Sequence, residues 1–464
     1  METGRDADGE PDPERDTAVA ATTMGRAMTD PFPGRFLERL TDAGDRMGGY
    51  PGERRAVELV SSALADAGAE PRELSFPITR WTRGEAELVG SASADADDPG
   101  RSFEAVGLPY TPSGDVRAPL VDAGQGTPEE LDDVDVSGGI VLARQGSAGE
   151  RHVHRMEKYG HAVAAGAEAF VLVNDTPGGL PVTGTLRFGE PGAVPAVGVS
   201  HEAGGRLARY AAAGGAGRLR VEAEVDEANA HNVVGELGPE ADDCVVLLAH
   251  LDAHDVGEGA LDNGCGLAVA VEAARLLADR SLDRRVVVAG VSCEETGLLG
   301  SRALADSLDL DRVRAVINVD GAGRARDLKA YTFGSDAIER VARETVAGVE
   351  QPLAVETRPH PYSDHWPFLR AGVPALQLHS EPPEDDGSWG PRGLPVAHTR
   401  ADTLDKVEPR DVREHAGLCA LLVDALAGAD VDLPRVDPSA LADRLREADA
   451  EAGMRAAGIW PDGW

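Results

Sequence analysis

Between residues 229 and 428, short apolar runs alternate with amphipathic stretches. The runs "CVVLLAH", "RRVVVAGVS" and "VRAVINVD" are rich in β-branched residues. "GCGLAVAVEAARLLAD" and "GLLGSRALADSL" space their apolar positions as helices do. This alternation predicts an α/β domain, with a mostly parallel central sheet flanked by helices on both faces. A helix at "DAIERVARETV", a strand at "VPALQLH" and a helix at "PRDVREHAGLCALLVDAL" extend the pattern. Upstream, residues 34–70 read as two helices; "RAVELVSSALADAG" is the clearer, with Gly68 to cap its end. "PRELSFPITRW" reads as a strand, and "GSASADADDPGRS" marks a boundary. Residues 105–226 then change texture. "GGIVLARQG" and "EAFVLVNDTPGG" are strands, "HRMEKYGHAVAAGA" is helical, and "AVPAVGVSHEAGGRLARYAAAGG" is a strand followed by a helix. The expected organisation is an acidic leader without structure over 1–30 and a discontinuous domain from 31–104 and 227–428. A small β-rich module over 105–226 is inserted between its halves, and a tail over 429–464 carries one amphipathic helix, "PSALADRLREADAEAG".

Charge changes the picture more than composition does. The chain carries 45 basic against 81 acidic residues, a net −36, and only Lys158, Lys329 and Lys406 are lysines. Such a surface repels nucleic acid and anionic membranes. The acids are spread along the chain, which suits molar salt, where a Debye length of ~3 Å screens self-repulsion. No run is apolar and long enough to span a membrane, and the N-terminus lacks the apolar core of a secretory signal, so a cytoplasmic location is expected. Cys244, Cys265, Cys293 and Cys419 form no CxxC pair. They are expected to be buried free thiols in a reducing compartment.

In an open α/β sheet, reactive groups gather at the carboxyl ends of strands. Here "CVVLLAHLD" ends in His250 and Asp252, "RRVVVAGVSCEE" in Glu294 and Glu295, and "VRAVINVD" in Asp320. Asp262 sits where the next helix begins, and "LPVAHTRADTLDKV" supplies His398 from a loop. Nitrogen and oxygen donors without sulfur suit zinc. A two-zinc arrangement is expected, with His250 and Asp320 on one ion, Glu295 and His398 on the other, and Asp262 between them. Two divalent cations then outweigh three carboxylates by one charge, which favours a bound hydroxide. Asp252 shares a strand face with His250 and can accept its second ring N–H. Glu294, diverging from Glu295, is placed to act as general base. The remaining candidates are peripheral. His254 and Asp255 read as pocket rim, His379 as pocket lining, and Asp364 and His365 as supporting or cap residues. His152, His154 and His161 read as surface or capping residues, and His360 and His415 as ordinary surface residues.

The order HxD, D-N-G, E-E, N-V-D and a late His resembles the co-catalytic di-zinc exopeptidases that include aminopeptidase Y, glutamate carboxypeptidase and carboxypeptidase Q. "HLDAHDVGEGALDNGCG" and "TRWTRGEAEL" are most similar to the carboxypeptidase Q branch. The insertion resembles a protease-associated domain. The resemblance implies zinc ligands His250, Asp262, Glu295, Asp320 and His398, Glu294 as catalytic base, Asp252 as partner of His250, and a cis peptide between Asp262 and Asn263. His254 departs from it, because that branch has an aromatic residue there; substrate preference is what this touches.

The expected activity is therefore removal of terminal residues from short peptides or dipeptides by a di-zinc exopeptidase. Tyr362, Arg392, Arg400, His379 and His254 are candidate substrate contacts. Two alternatives remain: a zinc amidohydrolase or deacylase of N-acyl amino acids, and a non-catalytic scaffold of the same fold. In the deacylase arrangement the extra domain separates the Glu pair from the last His; here the insertion precedes His250. A scaffold would have lost ligands or base. Direction of trimming stays open, and a homodimer is a possible assembly.

Overall fold

The computed structural model describes residues 13–95, 97–147, 151–382 and 396–464. Among these residues fourteen strands join in one mixed sheet. From one edge, its order is Leu353–Glu356, Asp327–Tyr331, Ala375–Glu381, Val313–Val319, Cys244–His250, Arg285–Val291 and Ala216–Leu237. The strands Arg285–Val291, Cys244–His250, Val313–Val319 and Ala375–Glu381 are mutually parallel. Every residue of Cys244–His250 is buried, which explains its unbroken apolar run. Helices Cys265–Leu277 and Pro409–Leu426 pack together over one face, with Val269, Leu276, Leu418 and Leu422 inside. Leu304, Phe368, Leu441, Leu445 and Met454 cover the other. Each fully buried Leu or Phe among them contributes about 1.5–3 kcal/mol.

The sheet does not stop at the inserted module. Ala216–Leu237 pairs antiparallel with Arg72–Ser91 along nearly all its length, and with Gly114–Asp122. From there parallel strands Ile140–Arg144, Ala169–Val173 and Ala196–Val199 continue. The strand expected at "PRELSFPITRW" is thus the first half of a twenty-residue strand. The Gly/Ser/Asp-rich stretch after it lies at the turn back into Arg101–Phe103.

Several expectations need correction. Residues Pro13–Thr29 of the supposed leader form a helix that packs on Pro409–Leu426, with Ala27 fully buried; residues 1–12 lie outside the described chain. The tail holds two helices, Pro438–Glu447 and Glu451–Ala456, because Asp449 turns to φ 55° between them. Both dock on their own chain, with Trp464 against Trp366 and Trp460. His415 is buried, not at the surface. Its Nδ1 accepts from the Gly323 N–H at 2.8 Å and its Nε2 lies 3.0 Å from the Arg326 carbonyl, so it pins a loop to its helix. His360 is half-buried among Tyr331, Phe333 and His365. The four cysteines are buried and free. No helix among the described residues is long and apolar enough to cross a membrane.

Candidate metal centre

Parallel register brings the strand ends together. Val291 stands beside His250, so the chain leaving Arg285–Val291 delivers Glu294 and Glu295 next to Asp252. Asp320 follows Val319 on the other side of His250. Two conformational devices aim the rest. Asp262 and Asn263 leave helical geometry within the turn Ala260–Gly264, and their peptide is cis. Cys293 and His398 adopt positive φ, 63° and 62°, a backbone that L-residues hold only where surrounding packing enforces it.

The side chains converge as two triads of potential donors: His250, Asp262 and Asp320, and His254, Glu295 and His398. His250 Nε2 lies 3.4 Å from Asp262 Oδ1, and His398 Nε2 lies 3.2 Å from Asp262 Oδ2. Asp262 therefore turns one oxygen to each triad. His398 Nε2 is 3.4 Å from Glu295 Oε2, and His250 Nε2 is 4.0 Å from Asp320 Oδ1. Donors around a tetrahedral zinc with bonds of about 2.0–2.1 Å stand about 3.3 Å apart. Three of the four distances sit at that edge length. The buried Nε2 of His250 has no hydrogen-bond partner. A nitrogen close to a carboxylate but not bonded to it has its lone pair aimed elsewhere, as a shared ion requires. The residues fit a pair of cations.

A dense hydrogen-bond shell holds this arrangement. The Asp252 carboxylate accepts from the Glu294 and Glu295 backbone N–H groups at 3.1 and 3.2 Å, and its Oδ1 is 3.5 Å from His250 Nδ1. The Asp252 carbonyl lies 3.2 Å from the same Nδ1, so this residue ties the first histidine to the glutamate pair. Asp402 accepts from Leu261 N–H at 2.7 Å and from Asp262 N–H at 3.0 Å. Asn263 donates to the Val319 carbonyl and accepts from Gly321 N–H, locking the Asp262 turn to the strand that carries Asp320. Ser363 donates to Asp320 Oδ2 at 2.7 Å. The fully buried Arg46 donates to the carbonyls of Leu251, Glu258 and Gly259 and fixes the loop between His250 and Asp262.

The electrostatics are those of crowded carboxylates. Burial, more than the relief from His250 and with added repulsion from Glu295 and Asp320, pushes Glu294 well above the usual carboxylate range. Burial raises Glu295 and Asp364 to about 7. Burial also works against charge on Asp262, but Arg324 and the two histidines outweigh it and hold that carboxyl well below its usual value. Divalent cations held here would remove the repulsion and favour every charged carboxylate.

A sequence profile of peptidase family M28 matches residues 232–423, the segment that carries all of these donors, and a PA domain profile matches residues 116–207. Leucine aminopeptidase 2 of Trichophyton equinum is 30% identical over 366 residues, covering 73% of this chain and 70% of that protein. The chain belongs to peptidase family M28. Aminopeptidase YwaD of Bacillus subtilis is 26% identical over 403 residues, covering 83% of this chain and 82% of its own length. The structure of an aminopeptidase from Aneurinibacillus sp. strain AM-1 superposes with a TM-score of 0.66 at 26% identity, covering 91% of this chain and 98% of that one. This is a metallopeptidase with an inserted PA domain.

In this M28 peptidase the PA domain reaches the centre. The Thr183 carbonyl lies 3.3 Å from His398 Nδ1, and the Thr183 N–H donates to the His398 carbonyl at 2.8 Å. The helix Arg155–Ala164 begins over the site. His154 caps it, accepting from Met156 N–H, and stacks on Tyr362 at 4.1 Å. Arg155 is held by the Thr185 carbonyl at 3.0 Å and feels the charges of Glu295, Glu294 and Asp262. Tyr362 donates its hydroxyl to Glu157 of the same helix. Arg400 is engaged on the surface by Glu104 and the Gly179 carbonyl. His379 packs its edge on Tyr331 beside Asp320. Arg392 lies outside the described residues. His365 stacks on Phe333, and Asp364 is fully buried next to the centre. Asp255 forms a two-pronged ion pair with Arg83.

Sequence reasoning did not single out Asp402, Arg46, Arg324, Thr183 or Arg155. Asp402 had a signal, standing four residues after His398 in "HTRAD". Arg324 donates to Asp262 Oδ1 at 2.7 Å and Asp320 Oδ1 at 3.1 Å, and it too follows a candidate ligand by four. The others arrive from distant segments that no local pattern links to the site.

Proposed function

We propose that this chain is a di-zinc aminopeptidase that removes residues from the amino end of short peptides. The carrying observation is that Asp262 turns one oxygen to His250 and the other to His398, with Asp320 and Glu295 completing the two sides. His250, Asp262 and Asp320 would hold one ion, and Glu295, His398 and Asp262 the other. When bound, the zinc pair would acidify water and polarise the scissile carbonyl.

The chain's own groups supply the rest. Glu294 follows Cys293, whose left-handed backbone re-aims the chain as it leaves the strand. Its carboxylate takes a proton from the attacking water and returns it to the leaving amine. Asp252 fixes the spacing between this base and His250 through its two backbone N–H acceptor contacts. The helix Arg155–Ala164 and Tyr362 roof the site and limit what enters, which favours chain ends over internal bonds. The amino-terminal direction is supported by the relatives, which are named as aminopeptidases.

The test is a peptide-library digest by the full chain in high salt with zinc, read by mass spectrometry. Loss of residues from the amino end alone is expected; carboxyl-terminal loss overturns the direction, and internal cuts overturn the exopeptidase reading. Glu294→Gln should lose about 10²–10⁴-fold in turnover while retaining two zinc ions by elemental analysis.

A further inference from the structure

His254 belongs to the second triad of donors, yet it stands outside the five residues assigned to the two ions above. It is buried, and its Nε2 lies 2.9 Å from Glu295 Oε2. A ring nitrogen of His254 lies within 4.8 Å of one of His398, and the two rings meet edge to face with centroids 4.7 Å apart. Despite that closeness, neither ring nitrogen of His254 makes a hydrogen bond. The carboxylate oxygen is near enough to accept a proton but lies off the direction in which the nitrogen points. A simple His–Glu hydrogen bond would not leave that geometry. Two donors facing a common ion do, as the unpartnered Nε2 of His250 shows on the other side of the centre.

The loop that presents His254 is rigid for its length. The adjacent Asp255 is clamped by Arg83, whose guanidinium also donates to the Gly107 carbonyl. The three carbonyls bonded to Arg46 flank it on both sides, at Leu251 and at Glu258 and Gly259. The Glu258 side chain accepts from Leu404 N–H at 2.7 Å, and the Glu258 N–H donates to the Asp402 carbonyl, latching the loop to the segment that carries His398. So His254 and His398 are held together by hydrogen bonds and an ion pair of the chain itself, independent of any metal ion.

We propose that His254 is a direct ligand of the ion held by Glu295 and His398, an inference that rests on the di-zinc reading above. That position then has two imidazoles and the Glu295 carboxylate, with one oxygen of Asp262 as a fourth donor. The other has one imidazole, from His250, and two carboxylates. The two positions are unequal. The two-imidazole position binds zinc more tightly and fills first, and it discriminates more strongly against magnesium and manganese, which prefer oxygen.

The experiment uses the full chain, stripped and reloaded with Zn²⁺ alone. Chelator competition should resolve two zinc affinities in the wild type. X-ray absorption at one zinc equivalent should show two imidazoles on the ion. His254→Phe keeps the buried volume and removes the donor; it should weaken the tighter equivalent by at least about 100-fold, above the range seen for outer partners, and leave the other unchanged. Absorption from that variant at full loading should show one imidazole per ion on average. A single imidazole at one equivalent of wild type, or unchanged zinc affinities in the variant, overturns the His254 assignment while leaving the two-zinc reading intact. A wild type that takes up no zinc overturns the underlying reading instead. The wild-type absorption measurement needs no variant to fold.

Discussion

Asp252→Asn is the substitution on which the architecture of the centre can best be tested. The carboxylate is fully buried, accepts from Glu294 N–H and Glu295 N–H, and stands 3.5 Å from His250 Nδ1, which also lies 3.2 Å from the Asp252 carbonyl. Asparagine keeps the shape but offers one acceptor oxygen and an NH₂ group. One of the two backbone donors must then face another donor. A hydrogen bond to a charged acceptor is worth about 1.5–3 kcal/mol, and a buried donor left without a partner costs about 1–3 kcal/mol. The surviving bond also weakens as its acceptor loses charge. The expected destabilisation is about 2–4 kcal/mol. Only part of it reaches the chemistry. Losing an outer partner of a metal-bound histidine costs about 10–100-fold in metal affinity or activity, equivalent to about 1.4–2.8 kcal/mol. The assay is kcat/KM on an aminoacyl-p-nitroanilide at saturating zinc, beside zinc affinity and urea denaturation of the same samples. A variant that keeps kcat/KM within twofold and binds zinc as the wild type does would show that Asp252 does not couple His250 to the glutamates.

Chelation with excess EDTA should lower the thermal midpoint, and zinc at about 100 times its Kd should restore about 2.7 kcal/mol; an unmoved midpoint means no ion is held by the folded state. Glu53 is fully buried and burial pushes it up to about 7, so its folded pKa exceeds its unfolded value near 4.5. A carboxyl raised on folding contributes stability below the unfolded pKa that is lost as pH rises through the folded one, here about 3 kcal/mol between pH 4.5 and 7. Glu53→Gln should flatten that part of the pH–stability curve in urea denaturation; an unchanged slope refutes it. With a net charge of −36, raising KCl from about 0.1 M to about 1 M shortens the Debye length from about 10 Å to about 3 Å and should raise the thermal midpoint. A falling midpoint would contradict adaptation to salt.

What could be read from the sequence, and what could not, divides along one physical line. Strands buried on both faces must be apolar throughout, so "CVVLLAH" and "RRVVVAGV" declared themselves. Strands that face solvent on one side carry no such mark. Leu353–Glu356 is only half-buried along its whole length, and Asp327–Tyr331 alternates, and neither was anticipated. The twenty-residue Arg72–Ser91 was half seen: up to Trp81 it buries Phe76, Ile78 and Trp81, whereas beyond Trp81 only Leu88 and Gly90 are buried. Nor does composition reveal a helix held by tertiary contact. Pro13–Thr29 belongs to an acidic, Ala/Thr-rich segment and finds its burial chiefly against Pro409–Leu426.

The same line runs through the centre. Donors placed at strand ends inherit the legibility of their strands, so His250, Glu295 and Asp320 could be located before any geometry was known. A ligand's environment comes from elsewhere in the chain. Thr183, which touches His398 at both backbone and ring, is separated from it by 215 residues. Arg46 and Leu251 are 205 residues apart. His254 shows the difference most sharply. From spacing alone it is one more polar residue on a loop, and a place at the pocket rim is the economical reading. What changes the reading is the direction of its ring nitrogen relative to Glu295 Oε2, 2.9 Å away and not hydrogen-bonded. A sequence fixes which donors exist and roughly where each strand releases them. Whether a given lone pair points at a partner or at a shared cation depends on loop closure by Arg46 and Arg83, and that is decided only when distant segments meet.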